Sequence, residues 1–194
     1  METPDLTIRE TAALSGVAST VVEKTVQSGI IVPHAAPALF RGGSTRYLPA
    51  RAVVYFHALK AADLADLPRR HKRAIWSRIT GMEPMRLGPV EFAPGATLDL
   101  NLAHIQFGIA NGYREARDRY IKSNPEILGG TPVIDGTRIP VYAVLGRLRH
   151  GDTIEDLHDD YPHVPRDAIR AAEIYAAAHP LRGRPSGRPW HRMD

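Results

Sequence analysis

The stretch LTIRETAALSGVASTVVEKTVQSGII, residues 6–31, decides how the front of the chain folds. Thr7 is an N-cap candidate, and Glu10 three residues later completes a capping box, so a first helix starts there. Its apolar residues Ile8, Ala12, Ala13 and Leu14 recur at helical spacing, and Ser15-Gly16 ends it with a residue free to take positive φ. Val17 plugs the turn. A second helix over about residues 19–28 buries Val22 and Val26, leaving Ser19, Thr20, Glu23 and Lys24 on its open face. Two short helices joined by so tight a turn read as a helix-turn-helix, whose second helix offers its N-terminal turn to base edges in a major groove. Ser19, Thr20 and Lys24 are the candidate DNA contacts.

Downstream, VPHAAPALFRGGSTRYL (32–48) sets Gly42-Gly43 between Arg41 and Arg46, the composition of a hairpin tip flanked by cations. As a wing it would meet phosphates, which give affinity and salt dependence with little sequence information; otherwise it is a polar turn. A third helix enters at Pro49 with Val53, Phe56 and Leu59 inward. A fourth ends at Gly81, with Ile75, Trp76 and Ile79 inward and Arg69, Arg70, Lys72 and Arg73 outside. Residues 1–80 carry 11 Lys/Arg against 6 Asp/Glu, a balance that suits this half to nucleic acid. The Gly16-Val17 turn and Gly29-Ile30-Ile31 resemble the start of MerR-type winged helix-turn-helix domains. Those domains usually carry more arginine and tyrosine on the second helix than the single Lys24 here.

From Gly88 the pattern changes period. Val90 and Phe92, then Leu98, Leu100 and Leu102, alternate with polar residues around Pro94-Gly95, as a small hairpin does. A helix through Ile105, Ile109, Tyr113 and Ala116 follows. Gly108 and Gly112 weaken it in isolation, so it is expected to lean on a neighbour or on a second copy of the chain.

GGTPVIDGTRIPV, residues 129–141, raises the question of a phosphate cradle, but no Lys follows its glycines as a P-loop requires. Asp135-Gly136 between β-favouring residues predicts a type I′ hairpin instead. Gly129, Gly130, Pro132, Gly136, Thr137, Arg138 and Pro140 are then structural, Arg138 spanning to a nearby acid. Residues 123–180, through Pro125, Gly129-Gly130, Pro132, the run 136–141, Gly151, Tyr161-Pro162 and Tyr175-Ala176, resemble a small bacterial domain family long labelled as of unknown function and often described as a VapB-like antitoxin. Longer members resemble this chain in adding an N-terminal helix-turn-helix. The resemblance implies a PIN-type ribonuclease toxin as partner.

Independently of that resemblance, residues 141–150, a segment capped by Asp152 with Ile154 and Leu157, and residues 166–178 read as three short helices, a trihelical helix-turn-helix-like unit. Ala168, Ile169, Ala172 and Tyr175 face inward. Residues 122–179 carry 6 Lys/Arg against 9 Asp/Glu, with Glu155, Asp156, Asp159 and Asp160 clustered, so a protein partner suits this half better than DNA. His158 and His163 have the wrong spacing for a metal site, and none is expected. The tail, HPLRGRPSGRPWHRMD (179–194), has the composition of a segment that orders on a partner. It would bring Trp190 as anchor and Arg182, Arg184 and Arg188 to carboxylates of the toxin, or else add weak DNA affinity.

The fold class expected is thus mainly α with short β-hairpins: a winged helix-turn-helix over 1–80, a hairpin–helix connector over 81–121, the trihelical domain over 122–179 and an Arg/Pro-rich tail from 180. With no cysteine, neither disulfides nor thiolate metal sites are possible, and a cytoplasmic location is expected. No constellation for catalysis stands out, and neither enzymatic activity nor a cofactor is expected. The leading expectation is a dimeric type II antitoxin that binds its own operator DNA as an autorepressor. A stand-alone DNA-binding regulator without a toxin is the alternative.

Overall fold

The computed structural model describes residues 5–40, 43–83 and 88–181. The chain runs β1 (Leu6–Thr7), α1 (Ile8–Ser15), α2 (Ser19–Gln27), β2 (His34–Pro37), β3 (Ser44–Leu48), α3 (Arg51–Ala61), α4 (Arg69–Gly81), β4 (Val90–Ala93), β5 (Ala96–Leu98), α5 (Ala103–Tyr120), β6 (Ile121–Lys122), β7 (Val133–Ile134), α6 (Val141–Arg149), α7 (Ile154–Asp160) and α8 (Arg166–Ala178). It is mainly helical, with short antiparallel strand pairs.

The start of α1 follows its sequence closely. The Glu10 amide donates to Thr7 Oγ1 at 3.2 Å and the Thr7 amide to Glu10 Oε2 at 2.8 Å, which closes the capping box. Gly16 ends the helix at φ +67, where a side chain would be strained. Lys60 of α3 then donates to the Gly16 carbonyl at 2.6 Å, satisfying an acceptor that the helix end leaves open. A Cβ at Gly16 would come within 2.8 Å of that ammonium.

β3 lies between β1 and β2 in an antiparallel three-stranded sheet, with Leu48 opposite Leu6 and Tyr47 opposite His34. One core gathers Val22, Val26, Ile31, Leu48, Tyr55, Phe56, Ile75 and Ile79 with the β4–β5 hairpin. The other joins Leu6 and Val53 to Ala110 and Tyr113 of α5 and to Ile134, Val144, Leu157, Ile169, Ala172 and Tyr175. Residues from both α3 and α5 enter both cores.

Several expectations are corrected here. Ala50, not Pro49, holds the N-cap of α3. Trp76 is only half-buried, its ring edge-on to Tyr55 at 5.7 Å. Leu102, Ile105 and Ile109 are 70%, 46% and 47% exposed. The buried stripe of α5 runs instead through Ala103, Ala110, Tyr113 and Arg117, because alanines let the helix lie close against α3 and α8. Asp135 does not take positive φ. Only Gly136 does, at +72, and the Thr137 amide closes the turn on the Ile134 carbonyl, the pattern of a type II turn rather than type I′.

The reason is pairing. Val133–Ile134 forms its ladder with Ile121–Lys122, and toward the 139–141 side it keeps only a bridge to Pro140. Arg138 makes no ion pair among the described residues and lies exposed. Thr153, not Asp152, caps α7 through a capping box with Asp156, while Asp152 pairs with Arg147 at 2.5 Å.

Candidate nucleic-acid interface

α2 turns Val22 and Val26 inward and leaves Thr20, Lys24 and Gln27 exposed, with Ser19 and Glu23 half-buried. Its N-cap is Ala18, which brings no side-chain acceptor. The first-turn amides therefore lack the oxygen that Thr7 supplies to α1, and an uncapped helix start at the surface accepts an anion readily. The C-terminal end is tied down by Arg69, whose guanidinium donates to the Ser28 carbonyl.

The β2–β3 hairpin stands beside this helix. A cleft of about 290 Å³ separates them, lined by Arg9 of α1, Glu23 of α2, Phe40, Arg46 and Tyr47 of the hairpin, and His179 beyond α8. The structure thus brings Arg46, exposed on β3, to the same side of the molecule as α2, and adds Arg9 as a further cation. Arg41 lies outside the described residues, as do Arg182, Arg184, Arg188 and Trp190.

Part of the basic run at the start of α4 is engaged at the surface by the chain's own carbonyls. Lys72 donates to the Ala65 carbonyl, and His71 Nδ1 lies 3.1 Å from the Phe92 carbonyl. With Arg69 engaged on Ser28, only Arg70 and Arg73 of that run keep charges clear of the backbone. Arg51, similarly, serves the end of α4, donating to the carbonyls of Ile79, Thr80 and Met82 at 2.7, 3.0 and 2.6 Å.

Beneath α1 lies a buried ionic cluster that the sequence reading missed. Arg117 and Glu10 are both fully buried, 3.0 Å apart. Glu10 also accepts from the Tyr113 hydroxyl at 2.7 Å, and Arg117 donates to Asp118 at 2.9 Å and to the Asp5 carbonyl at 3.2 Å. Burial alone pushes the Glu10 carboxyl up, but Arg117, His179 and the bonds from Thr7 and Tyr113 outweigh it and hold it below its ordinary value. Burial pushes the Tyr113 hydroxyl well up, and Glu10 adds to it. The signal was present: Arg117 continues the spacing of Ala103, Ala110 and Tyr113, and a charge on an apolar stripe demands a partner.

At the far side of the cleft, His179 stacks on Tyr175 at 4.3 Å between centroids, and Phe40 meets Tyr175 edge-on at 5.5 Å. Burial lowers the His179 pKa. The acidic residues of α7 are mostly engaged: Asp160 with Arg147 at 2.6 Å, Glu155 with Arg166 at 3.4 Å, and Asp156 in the α7 cap. Among the described residues no group of three or more metal-ligating side chains converges, and His158 Nδ1 lies 2.9 Å from the Val164 carbonyl. No helix among them is long and apolar enough to cross a membrane.

The trailing segment has a counterpart elsewhere. Residues 121–176 match a family model described as a protein of unknown function, DUF433. The uncharacterized protein y4eO of Sinorhizobium fredii is 48% identical over 64 residues. That match covers 33% of this chain and 29% of the relative, so the chain spans under a third of that protein's length. Among solved structures, the X-ray crystal structure of Rv2018 from Mycobacterium tuberculosis resembles this chain at 18% identity and a TM-score of 0.35, over 89% of this chain and 98% of that one.

Proposed function

We propose that the chain is a DNA-binding antitoxin of the autorepressing kind: its N-terminal part works as a winged helix-turn-helix on operator DNA, and its C-terminal part holds a PIN-type ribonuclease toxin. The observation that carries the DNA half is the uncapped start of α2, with Thr20 and Lys24 exposed, on a helix whose Glu23 lines one cleft with Arg46 of the hairpin. In this reading the first-turn amides and Ser19 meet a phosphate, Thr20 and Lys24 approach base edges, and Arg46 and Arg41 neutralise backbone charge in the adjacent groove. The buried Glu10–Arg117 pair fixes α1, and through it the angle at which α2 is presented.

The toxin half rests on the resemblance of residues 123–180 to VapB-like antitoxins. Its basic tail begins at the edge of the same cleft, since the chain leaves α8 through His179 and the exposed Leu181. The trihelical, helix-turn-helix-like reading of α6, α7 and α8 belongs with this proposal.

Gel shifts over a salt series test the DNA half. Arg46→Ala and Lys24→Ala are expected to weaken binding, and Arg46→Ala to flatten the salt slope by about one neutralised phosphate on any sequence. Slopes that stay unchanged in Arg46→Ala remove the hairpin from the interface. Co-purification from the native host tests the other half. A stoichiometric small nuclease is expected, its loss on truncation after Pro180 assigns the contact to the tail, and a chain recovered alone while still binding DNA leaves the stand-alone regulator.

A further inference from the structure

The cleft beside α2 is lined from several elements at once. Arg9 comes from α1, Glu23 from α2, Phe40 and Arg46 from the β2–β3 hairpin, and Tyr175 and His179 from α8 and the residue beyond its end. One wall is built of rings: Phe40 meets the buried Tyr175 edge-on, and His179 stacks on the same tyrosine, its Nδ1 3.0 Å from the Tyr175 carbonyl. Burial holds His179 below its ordinary pKa, so at neutral pH the imidazole joins that wall as an uncharged ring.

The cleft also carries donors that the fold leaves unused. Arg51, Arg69, Arg117 and Arg147 are each spent on backbone carbonyls or carboxylates. Arg9 and Arg46 are not: among the described residues neither makes a hydrogen bond or an ion pair. Glu23, half-buried on the same cleft, pairs with neither of them. Two guanidiniums against one carboxylate leave a net positive charge beside a wall of rings.

We infer that this cleft binds a small aromatic carboxylate, its carboxylate held by Arg9 and Arg46 and its ring laid against Phe40, Tyr175 and His179. A guanidinium fork matches a carboxylate with two parallel N–H donors, and rings pack on rings edge-on or offset. Glu23 repels a second negative charge, which favours a monoanion over a phosphate monoester or a nucleotide. The volume of about 290 Å³ stands at the small end of ligand pockets, room for one ring or two fused rings on a short arm. A DNA phosphodiester can meet Arg46 at the rim but brings no ring to the wall. The inference does not rest on the DNA reading, because the cleft is complete within one chain and is tested without nucleic acid.

Titration calorimetry on the full chain tests it, with phenylacetate, cinnamate and indoleacetate as probes. At least one of these acids is expected to saturate one site per chain, with acetate, which lacks the ring, and phenylethanol, which lacks the charge, binding about tenfold or more weakly. Arg9→Gln and Arg46→Gln change exposed side chains, so circular dichroism is expected to stay as in the wild type while each variant weakens the aromatic acid about tenfold. Phe40→Leu is expected to narrow the preference for the aromatic acid over acetate. No saturable binding of any of the three acids at low-millimolar concentration, equal binding of acetate, or an affinity indifferent to both arginine variants overturns the inference. Gel shifts report the DNA reading separately, so the two proposals fail independently.

Discussion

Replacing Arg117 by methionine keeps the length of the side chain and removes its charge from a site with no solvent access. Among the described residues three acceptors lose a donor: Glu10 Oε2, the Asp5 carbonyl and Asp118. Glu10 keeps the Thr7 amide at 2.8 Å and the Tyr113 hydroxyl at 2.7 Å, so its carboxylate is left charged and only partly compensated. Removing one partner of a buried pair costs about 3–5 kcal/mol. The two surviving hydrogen bonds to Glu10 place this case toward the lower end. For a chain of this size the loss corresponds to a fall of roughly 6–20 °C in melting temperature.

Urea unfolding at neutral pH measures the loss directly, and Arg117→Met/Glu10→Gln completes a double-mutant cycle. The double variant is expected to recover part of the stability, because an uncharged amide at position 10 can accept from the Thr7 amide through its oxygen and donate its NH2 to the Tyr113 hydroxyl oxygen. The pH dependence gives a second reading. In the wild type Glu10 titrates below its ordinary value, so its contribution is present above about pH 4.5 and lost as pH falls through the folded value. In Arg117→Met, burial is opposed only by weaker neighbours and raises the Glu10 pKa, so the gap between variant and wild type narrows in acid. A loss below about 1 kcal/mol at neutral pH, or a gap that widens on acidification, refutes the assignment of Arg117 as the counter-charge.

Two further outcomes follow from the same contacts. His179 has a lowered pKa because it is buried, so the unfolded chain binds more protons than the folded one between its folded value and about 6.5. Stability is therefore expected to fall as pH drops below about 6.5, ahead of the Glu10 loss, and urea midpoints for His179→Gln should be flat over that upper window. Ala18→Asp supplies the missing cap of α2 and is expected to stabilise the chain by about 1 kcal/mol in thermal melts. If α2 meets a phosphate at that end, the same substitution weakens DNA binding in a gel shift, and a more stable variant with undiminished affinity removes the helix start from the interface.

What was legible in the sequence was local. The Thr7–Glu10 capping box, the Gly16 stop and the Val22/Val26 stripe involve partners within a turn or two of one another, so spacing alone reports them, and the buried positions Ala168, Ile169, Ala172 and Tyr175 of α8 were legible for the same reason. The Arg117–Glu10 bond was not, because its partners lie 107 positions apart and Glu10 already had a complete explanation as a capping residue. Asp135-Gly136 shows a related loss. The dipeptide suits more than one turn, and the choice was made by Val133–Ile134 pairing with a strand that precedes it rather than with the residues that follow.

α5 shows why a periodic pattern can be right about a helix and wrong about its inner face. Its aliphatic side chains Ile105 and Ile109 attract the core assignment on hydrophobicity, yet transfer from water is only one contribution to where a helix rotates. The other is what the opposite rotation would strand. Turning Ile105 and Ile109 inward would carry Arg117 away from Glu10 and Tyr113 away from the same carboxylate, leaving a buried charge beneath α1 without its donors. Two exposed isoleucines cost the fold less than one unpaired carboxylate. The ionic cluster therefore sets the rotation of α5, and that rotation is what leaves Leu102, Ile105 and Ile109 at the surface.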